Sequence, residues 1–373
     1  MHLFLVDLFI SIDVLSPIIN QIDRKKVIIC NINPIQDHGK NKLIKYFIEK
    51  KIKYFNFLPI SESAYISFFF TKIILFLPCF ILNKLRKFIQ IVYHNKNFTS
   101  KKKIKVFLIQ NNIKSITYEE SAPENYISQL YQVAQDLKIE VIKITAGLGV
   151  FYEKSVINET KMKFCNKIIL PNSMYIINKK FKNKVKIIGS PRYTQHWFKI
   201  LNKIHSKVKV NKKKITLGFF KKFYSKEKNI IDKLIKKLNK TNKFDIITRE
   251  KPRDIFPFKC NIFEEDSFTS SQLIDFSDFI LTARPSSILA EALIKNKKIL
   301  LLFYANAELY NSPFNRSKAF LKITNEKRIL EILKKKISIN KVHRDNFLSK
   351  ILHNWKRPNI IKKDISLFYN SLI

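Results

Sequence analysis

Two serines, an arginine and a glutamate between residues 284 and 291 hold the densest chemistry in this chain. The stretch 279–304 reads FILTARPSSILAEALIKNKKILLLFY. Ser286 stands where a helix N-cap is expected, and Ser287 opens the helix. Free N–H groups at a helix start, two hydroxyls and Arg284 together make an anion site of phosphate size. Glu291 falls further in, among Ile288, Leu289, Ala290, Ala292 and Leu293. A carboxylate in such company is costly to bury without a partner. A ribose diol and a basic side chain are the two candidate partners.

Three other places carry chemistry. Glu119 and Glu120 fall at a strand-end loop just before a helix start. A carboxylate there can deprotonate an acceptor hydroxyl as a general base; the plainer alternative is an ordinary helix-start acid. Asp37 and His38 sit in the polar loop that follows Val27–Asn31, either as an acid/base pair on an acceptor loop or as a solvated turn ending at Gly39. Gly218, expected at the end of a strand in KKKITLGFFKK (212–222), leaves room for a nucleotide to approach.

These residues need a scaffold of strands that end in loops. Phe279–Thr282 reads as a short buried strand, Ile288–Ile294 as a buried helix and Ile299–Phe303 as a second strand. Together they make a βαβ crossover. The first half alternates in the same way. Leu3–Leu8 and Val27–Asn31 read as strands around a helix at Ile12–Ile22, and Lys40–Lys51 as the next helix. Ile104–Gln110 reads as a strand after the basic run Lys101–Lys103. A helix starts at Ser121 or Ala122 and carries the stripe Ile127, Leu130, Tyr131, Ala134 and Leu137. Val141–Thr145 is the next strand. In the second half, Lys226–Leu238 reads as a Lys-rich amphipathic helix, residues 270–278 as a short capped helix, and the tail from Asn325 as two or three basic helices. Open α/β sheets bind ligands outside the carboxyl ends of their strands.

At 373 residues the chain suggests two domains, 1–195 and 196–373, the second with a basic tail. Lys and Arg number 70 against 29 Asp and Glu, a net charge of +41. Such a surface is drawn to anionic membranes or nucleic acid. The lysines are spread along the chain, not confined to one run, and no RNA or DNA motif accompanies them, so no specific nucleic-acid partner is expected. Cys30, Cys79, Cys165 and Cys260 are too scattered for zinc and read as reduced thiols of a cytoplasmic protein. The opening MHLFLVDLFISIDVL has neither a basic start nor a small-residue cleavage site, which argues against a signal peptide. Residues 64–82 are the most hydrophobic stretch, interrupted by Lys72 and Pro78 and followed by the basic, aromatic NKLRKFIQIVYHNKNF. The expectation is a membrane-interfacial segment over 64–95; a buried helical pair and a single span are the alternatives.

The pattern SS-x-x-x-E-A-L, followed by K-x-I-L-L, resembles the donor-binding segment of GT-B-type glycosyltransferases, closest to those that build bacterial capsule and lipopolysaccharide, including the sialyl- and Kdo-transferase groups. CDP-glycerol glycerophosphotransferase-like proteins are related to them. The resemblance implies that Ser286 and Ser287 hold the donor phosphate and that Glu291 faces the nucleotide ribose. Three more segments follow the family in order. Glu119-Glu120-Ser121 is similar to the acidic pair of bacterial sialyltransferases, with Ser121 replacing a Gly. Gly189-Ser190-Pro191-Arg192, then Trp197, resembles the junction between the family's halves, where Arg192 reaches the donor phosphate or pins the linker. Lys251-Pro252, flanked by Arg249 and Arg253, occupies the place of a His-Pro pair. Lysine keeps the cation and loses the acid chemistry of histidine. ITAGLG stands where Pro-His-Gly is common, so no histidine role carries over. The run S-x-L-I-x-x-S-D recurs at 271–278.

By this resemblance the fold is α/β and GT-B-like, two Rossmann-like domains with parallel sheets facing a central cleft. The implied activity is metal-independent sugar transfer from a nucleotide sugar, with a CMP-linked acidic sugar among the donors, in bacterial surface polysaccharide synthesis. Glu119 and Glu120 would be catalytic. Arg284, Ser286, Ser287, Glu291, Lys251, Arg253, Arg192 and Gly218 would bind the donor. No cofactor is implied beyond the donor, and no metal, since no Asp-x-Asp motif stands at the phosphate site. The partners implied are a carbohydrate or lipid-linked acceptor and an anionic membrane, at the inner face of the cytoplasmic membrane. The alternatives are CDP-glycerol-type glycerophosphotransfer, a GT-B-shaped sugar-nucleotide epimerase, and a non-catalytic basic protein that binds nucleic acid or membranes.

Overall fold

The computed structural model describes residues 1–32, 38–56, 100–145, 156–205, 214–221, 225–250, 269–283, 288–306, 309–310, 314–334 and 339–372. The first half contributes strands His2–Val6 (β1), Val27–Asn31 (β2), Lys53–Phe55 (β3), Ser115–Glu119 (β4), Glu140–Ile144 (β5), Val156–Ile157 (β6), Lys167–Leu170 (β7), Ile176–Ile177 (β8) and Val185–Ile187 (β9). Seven of them form one sheet in the order β3-β2-β1-β4-β5-β7-β9, while β6 pairs with β8. Every pairing in it is parallel. A parallel sheet must be covered on both faces because its crossovers lie there. Accordingly Leu3 and Leu5 enter one core while Phe4 and Val6 enter the other. The covering helices are Phe9–Ile19 (α1), Lys42–Glu49 (α2), Lys101–Gln110 (α3), Glu124–Asp136 (α4), Glu159–Met162 (α5) and Gln195–Ile204 (α6).

One element differs in kind from the sequence expectation. Residues 104–110 are not a strand but most of helix α3. Ile104, Phe107 and Leu108 are buried, at the i, i+3, i+4 spacing of one helical face. Val106 and Ile109 are left exposed. The strand beside β1 is instead β4, which begins five residues after α3 ends.

The second half contributes Ile215–Lys221 (β10), Phe244–Glu250 (β11), Phe279–Thr282 (β12), Lys298–Leu302 (β13) and Leu321–Ile323 (β14). They form a parallel sheet in the order β11-β10-β12-β13-β14. Ile280, Ile299 and Leu301 face one core; Leu217, Leu281 and Leu300 face the other. Helices Ser225–Lys240 (α7), Ser270–Phe276 (α8), Ile288–Ile294 (α9), Glu326–Lys334 (α10), Lys341–Ile351 (α11) and Pro358–Asn370 (α12) complete the chain. Thr269 and Gln272 close a capping box at the start of α8.

Helices from both ends of the second half reach the first sheet. Trp197 and Ile200 of α6 join its core, and so do Ile361, Ile365, Phe368 and Tyr369 of α12. The Tyr369 hydroxyl lies 3.0 Å from Thr117 Oγ1 of β4. The first unit thus draws on both sides of the 195/196 division. The two crossing segments brace each other. Gly189 has φ +93°, and a Cβ there would lie 2.6 Å from the His353 carbonyl oxygen, so only glycine suits the position. Next to it, His353 N donates to Pro171 O at 3.0 Å and Asn172 Nδ2 to Ile351 O at 2.9 Å. The architecture is α/β, with two Rossmann-like domains whose parallel sheets face a central cleft. No described helix is long and apolar enough to cross a membrane. The segment expected at the membrane interface, 64–95, lies outside the described residues.

Candidate functional site

The strand order sets a row of polar residues along the carboxyl edge of the first sheet. Asn31 closes β2, Asp7 follows β1, Glu119 closes β4, Thr145 follows β5, and the loop from Pro171 to Tyr175 follows β7. Asn31, Asp7, Glu119 and Thr145 are all buried. This is the edge at which open α/β sheets bind ligands.

Glu119 is 1% exposed. Its Oε1 accepts from Ser121 N at 3.0 Å, and its Oε2 accepts from Ser121 Oγ. Burial pushes its carboxyl up to about 7; the Ser121 bonds pull against that, and Glu120 and Asp7 add to it. Glu120 turns the other way. It pairs with Lys161 Nζ at 2.9 Å and stays partly exposed. The two adjacent glutamates are therefore chemically different. Glu119 is poised to exchange a proton near neutrality, while Glu120 is held in an ion pair with Lys161.

His38 is buried, not part of a solvated turn. Its Nε2 meets the Asp7 carbonyl oxygen at 2.5 Å. A carbonyl only accepts, so that nitrogen carries the proton. Its ring packs edge-on to Phe9. Asp37, its expected partner, lies outside the described residues.

In the second domain, Glu291 is 7% exposed in α9. Of its two candidate partners, the basic one is present: Lys295 Nζ lies 2.9 Å from Oε1, one turn along. Lys295 also pairs with Asp275 at 3.0 Å and donates to Ser271 Oγ at 2.6 Å. Its ammonium sits over the Phe198 ring of α6. Arg192 reaches Asp13 of α1 at 3.3 Å, which ties the linker to the first domain. Burial works against its charge, but Tyr193, Asp13 and Glu291 outweigh burial and raise its pKa.

Gly218 was expected at a strand end and lies in the middle of β10, which continues to Lys221. A Cβ at this position would overlap Ser277 Oγ. The space glycine leaves is filled by that hydroxyl, which donates to Leu273 O at 2.6 Å. Arg284, Ser286, Ser287, Lys251 and Arg253 lie outside the described residues; β12 and α9 flank the first three. Among the described residues, no group of three or more His, Cys, Asp or Glu could hold a metal ion.

The sequence reading passed over Asp7, Ser121 as the ligand of Glu119, Thr145 and Tyr175. No local signal marks them. Only the side-by-side placement of β1, β4, β5 and β7 brings them to one edge.

No protein-family model and no curated protein matches the chain. Solved structures do, over nearly its whole length. A Listeria monocytogenes protein assigned as a UDP-N-acetylglucosamine 2-epimerase matches with a TM-score of 0.55 and 9% identity, covering 99% of this chain and 96% of its own. CalG4, the calicheamicin glycosyltransferase, matches at 0.53 and 9%, covering 99% and 98%. Arabidopsis thaliana UGT89C1, solved with UDP, matches at 0.53 and 8%, covering 100% and 99%. Identities this low speak for shared architecture alone, and on that ground the chain has the GT-B fold.

Proposed function

We propose that the protein is a glycosyltransferase that moves a sugar from a nucleotide-activated donor to a hydroxyl of a carbohydrate or lipid-linked acceptor. The observation that carries this reading is Glu119, a buried carboxylate with a pKa of about 7 at the cleft edge of the first sheet. General-base catalysis is most effective when the base titrates near the working pH. Glu119 takes the proton of the attacking hydroxyl, and its two bonds from Ser121 fix the carboxylate plane while it does so.

On the donor side, Ser286, Ser287 and Arg284 bind the phosphate, assisted by Lys251 and Arg253. These donors and cations stabilise the charge that develops on the departing nucleotide, in the place a metal fills in other transferases. Glu291 receives the ribose, held in position by Lys295, and Arg192 completes the cationic rim. A CMP-linked acidic sugar is the donor we favour, in bacterial surface polysaccharide synthesis on the inner face of the cytoplasmic membrane, where the +41 charge favours anionic lipid. The fold match to the Listeria epimerase supports a second reading, sugar-nucleotide epimerisation without an acceptor.

Thermal-shift binding of CMP, CDP, UDP and GDP, with and without magnesium, tests the assignment. A magnesium-independent shift with CMP supports it. A UDP-selective shift, with epimerised nucleotide sugar as the only product, replaces it with the second reading. No shift with any nucleotide overturns both.

A further inference from the structure

The outer edge of the second sheet holds a hollow that plays no part in the chemistry above. It lies between β14, the last strand in the sheet order, and helix α10, which follows β14 after Thr324 and Asn325. Its volume is about 770 Å³, within the range of small-molecule sites. Lys318, Lys322, Lys327 and Arg328 line it, and Glu331 is the one carboxylate in the lining. Four cations against one carboxylate leave three positive charges. Strand β13 separates β14 from β12, the strand that leads into Arg284, Ser286 and Ser287. The hollow is therefore not the donor-phosphate loop.

Exposed lysines without a partner are ordinary on a chain of charge +41. Two features set this group apart. Its cations converge on a concave space backed by the buried side chains of Phe320 and Ile332, and a hollow of one sign with apolar walls focuses the field. Lys322, moreover, is half-buried, yet its ammonium meets only neutral groups: Asn315 Oδ1 at 3.3 Å and the Phe303 ring at 5.8 Å. Removing an ammonium from water without an anion beside it is costly. The nearest helix-start acid, Glu326, is already taken by Lys237 of α7 at 3.2 Å. Among the described residues, Lys318, Lys327 and Arg328 have no ion pair.

We propose that the hollow between β14 and α10 is a second anion site, for a phosphate-bearing ligand, with Lys318, Lys322, Lys327 and Arg328 as its cations. It stands whether or not the transferase reading does. The ligand class follows from charge and shape. A phosphate monoester carries about two negative charges on three acceptor oxygens, which suits several cations better than a lone carboxylate does. The planar guanidinium of Arg328 can meet two of those oxygens at once, and the lysines act as point charges around them. A soluble phosphate ester and a lipid headgroup share this chemistry.

The test uses the full chain with two probes: inorganic pyrophosphate in calorimetric titration, and phosphatidylcholine vesicles with or without phosphatidic acid in flotation. Lys318→Gln, Lys327→Gln and Arg328→Gln are combined in one variant; all three side chains are exposed, so the fold should hold. A control variant combines Lys350→Gln, Lys362→Gln and Lys363→Gln, which are exposed elsewhere and make the same change in charge. Wild type is expected to bind pyrophosphate, Arg328→Gln to weaken it about tenfold and the cavity triple about a hundredfold. The control should change it little. Glu331→Gln should tighten it about threefold by removing the opposing charge. Thermal shifts with CMP should be the same in the cavity triple as in wild type. Capture by vesicles that needs phosphatidic acid and is lost in the cavity triple identifies a lipid headgroup as the source. Pyrophosphate binding without capture identifies a soluble ester. Neither binding nor capture by wild type, equal losses in the two triples, or a CMP shift lost with the cavity cations would each overturn the site. Binding of oligouridylate through these cations, with no response to pyrophosphate, would also overturn it and assign the face to RNA.

Discussion

Glu119 and Glu291 are both buried glutamates, one in each domain, and their surroundings divide them. Glu119 has two hydrogen bonds from Ser121, two carboxylates nearby and no ion pair among the described residues. Glu291 has a lysine at 2.9 Å and an arginine within electrostatic reach. Burial alone opposes charge on a carboxylate; an adjacent cation restores it. The first domain therefore offers a proton acceptor and the second a carboxylate tied into an ion pair.

The largest effect should come from breaking the Glu119 side. Glu119→Gln is expected to lower transfer by about 10²–10⁴-fold with nucleotide affinity unchanged. The wild-type rate should rise with pH through about 7 as Glu119 loses its proton, and the variant should lose that limb. Stability runs the opposite way. The folded pKa is about 7 against an ordinary value of 4.5, so the folded state holds the proton over that window while the unfolded chain has released it. Stability therefore falls as pH rises from 4.5 to 7. At pH 8 the glutamine variant should exceed wild type by up to about 3 kcal/mol in urea unfolding, and at pH 4 by far less.

On the Glu291 side the cost should fall on folding. Lys295→Met removes the partner of a buried carboxylate and should destabilise by about 3–5 kcal/mol. Pairing it with Glu291→Gln should recover much of that loss, which chemical denaturation of the two variants will show. If the single variant is as stable as wild type, the ion pair does not set the state of Glu291, and the contrast between the glutamates fails.

How much of this was legible differs by element. Strand Phe279–Thr282, helix Ile288–Ile294 and strand Lys298–Leu302 could be read almost to the residue, because short apolar runs are separated by breaking and polar residues. Residues 104–110 could not. The run IKVFLIQ is rich in β-favouring side chains, and Lys101–Lys103 disguise the first helical turn. What decides for a helix is that β4 takes the place beside β1, leaving Ile104, Phe107 and Leu108 to cover a face. Glu119 and Glu120 were legible as a pair at a strand end. Their division was not, because it depends on Lys161, forty-one residues further on.

The smallest effect concerns Arg192. Arg192 touches Asp13 of the first domain and lies within reach of Glu291 of the second. Asp13 is half exposed, and pairs of that kind contribute about 0–1 kcal/mol. Asp13→Asn should therefore leave the urea midpoint almost unmoved. Nucleotide affinity is the sharper readout. If Arg192 also serves the donor phosphate, freeing it from Asp13 should tighten CMP binding slightly, and Arg192→Gln should weaken it about tenfold, the scale of one charge-assisted hydrogen bond. If Arg192 only pins the linker, both variants will bind CMP as wild type does. The Glu291–Lys295 pair would then order the domain junction and leave the phosphate to residues 251–253 and 284–287.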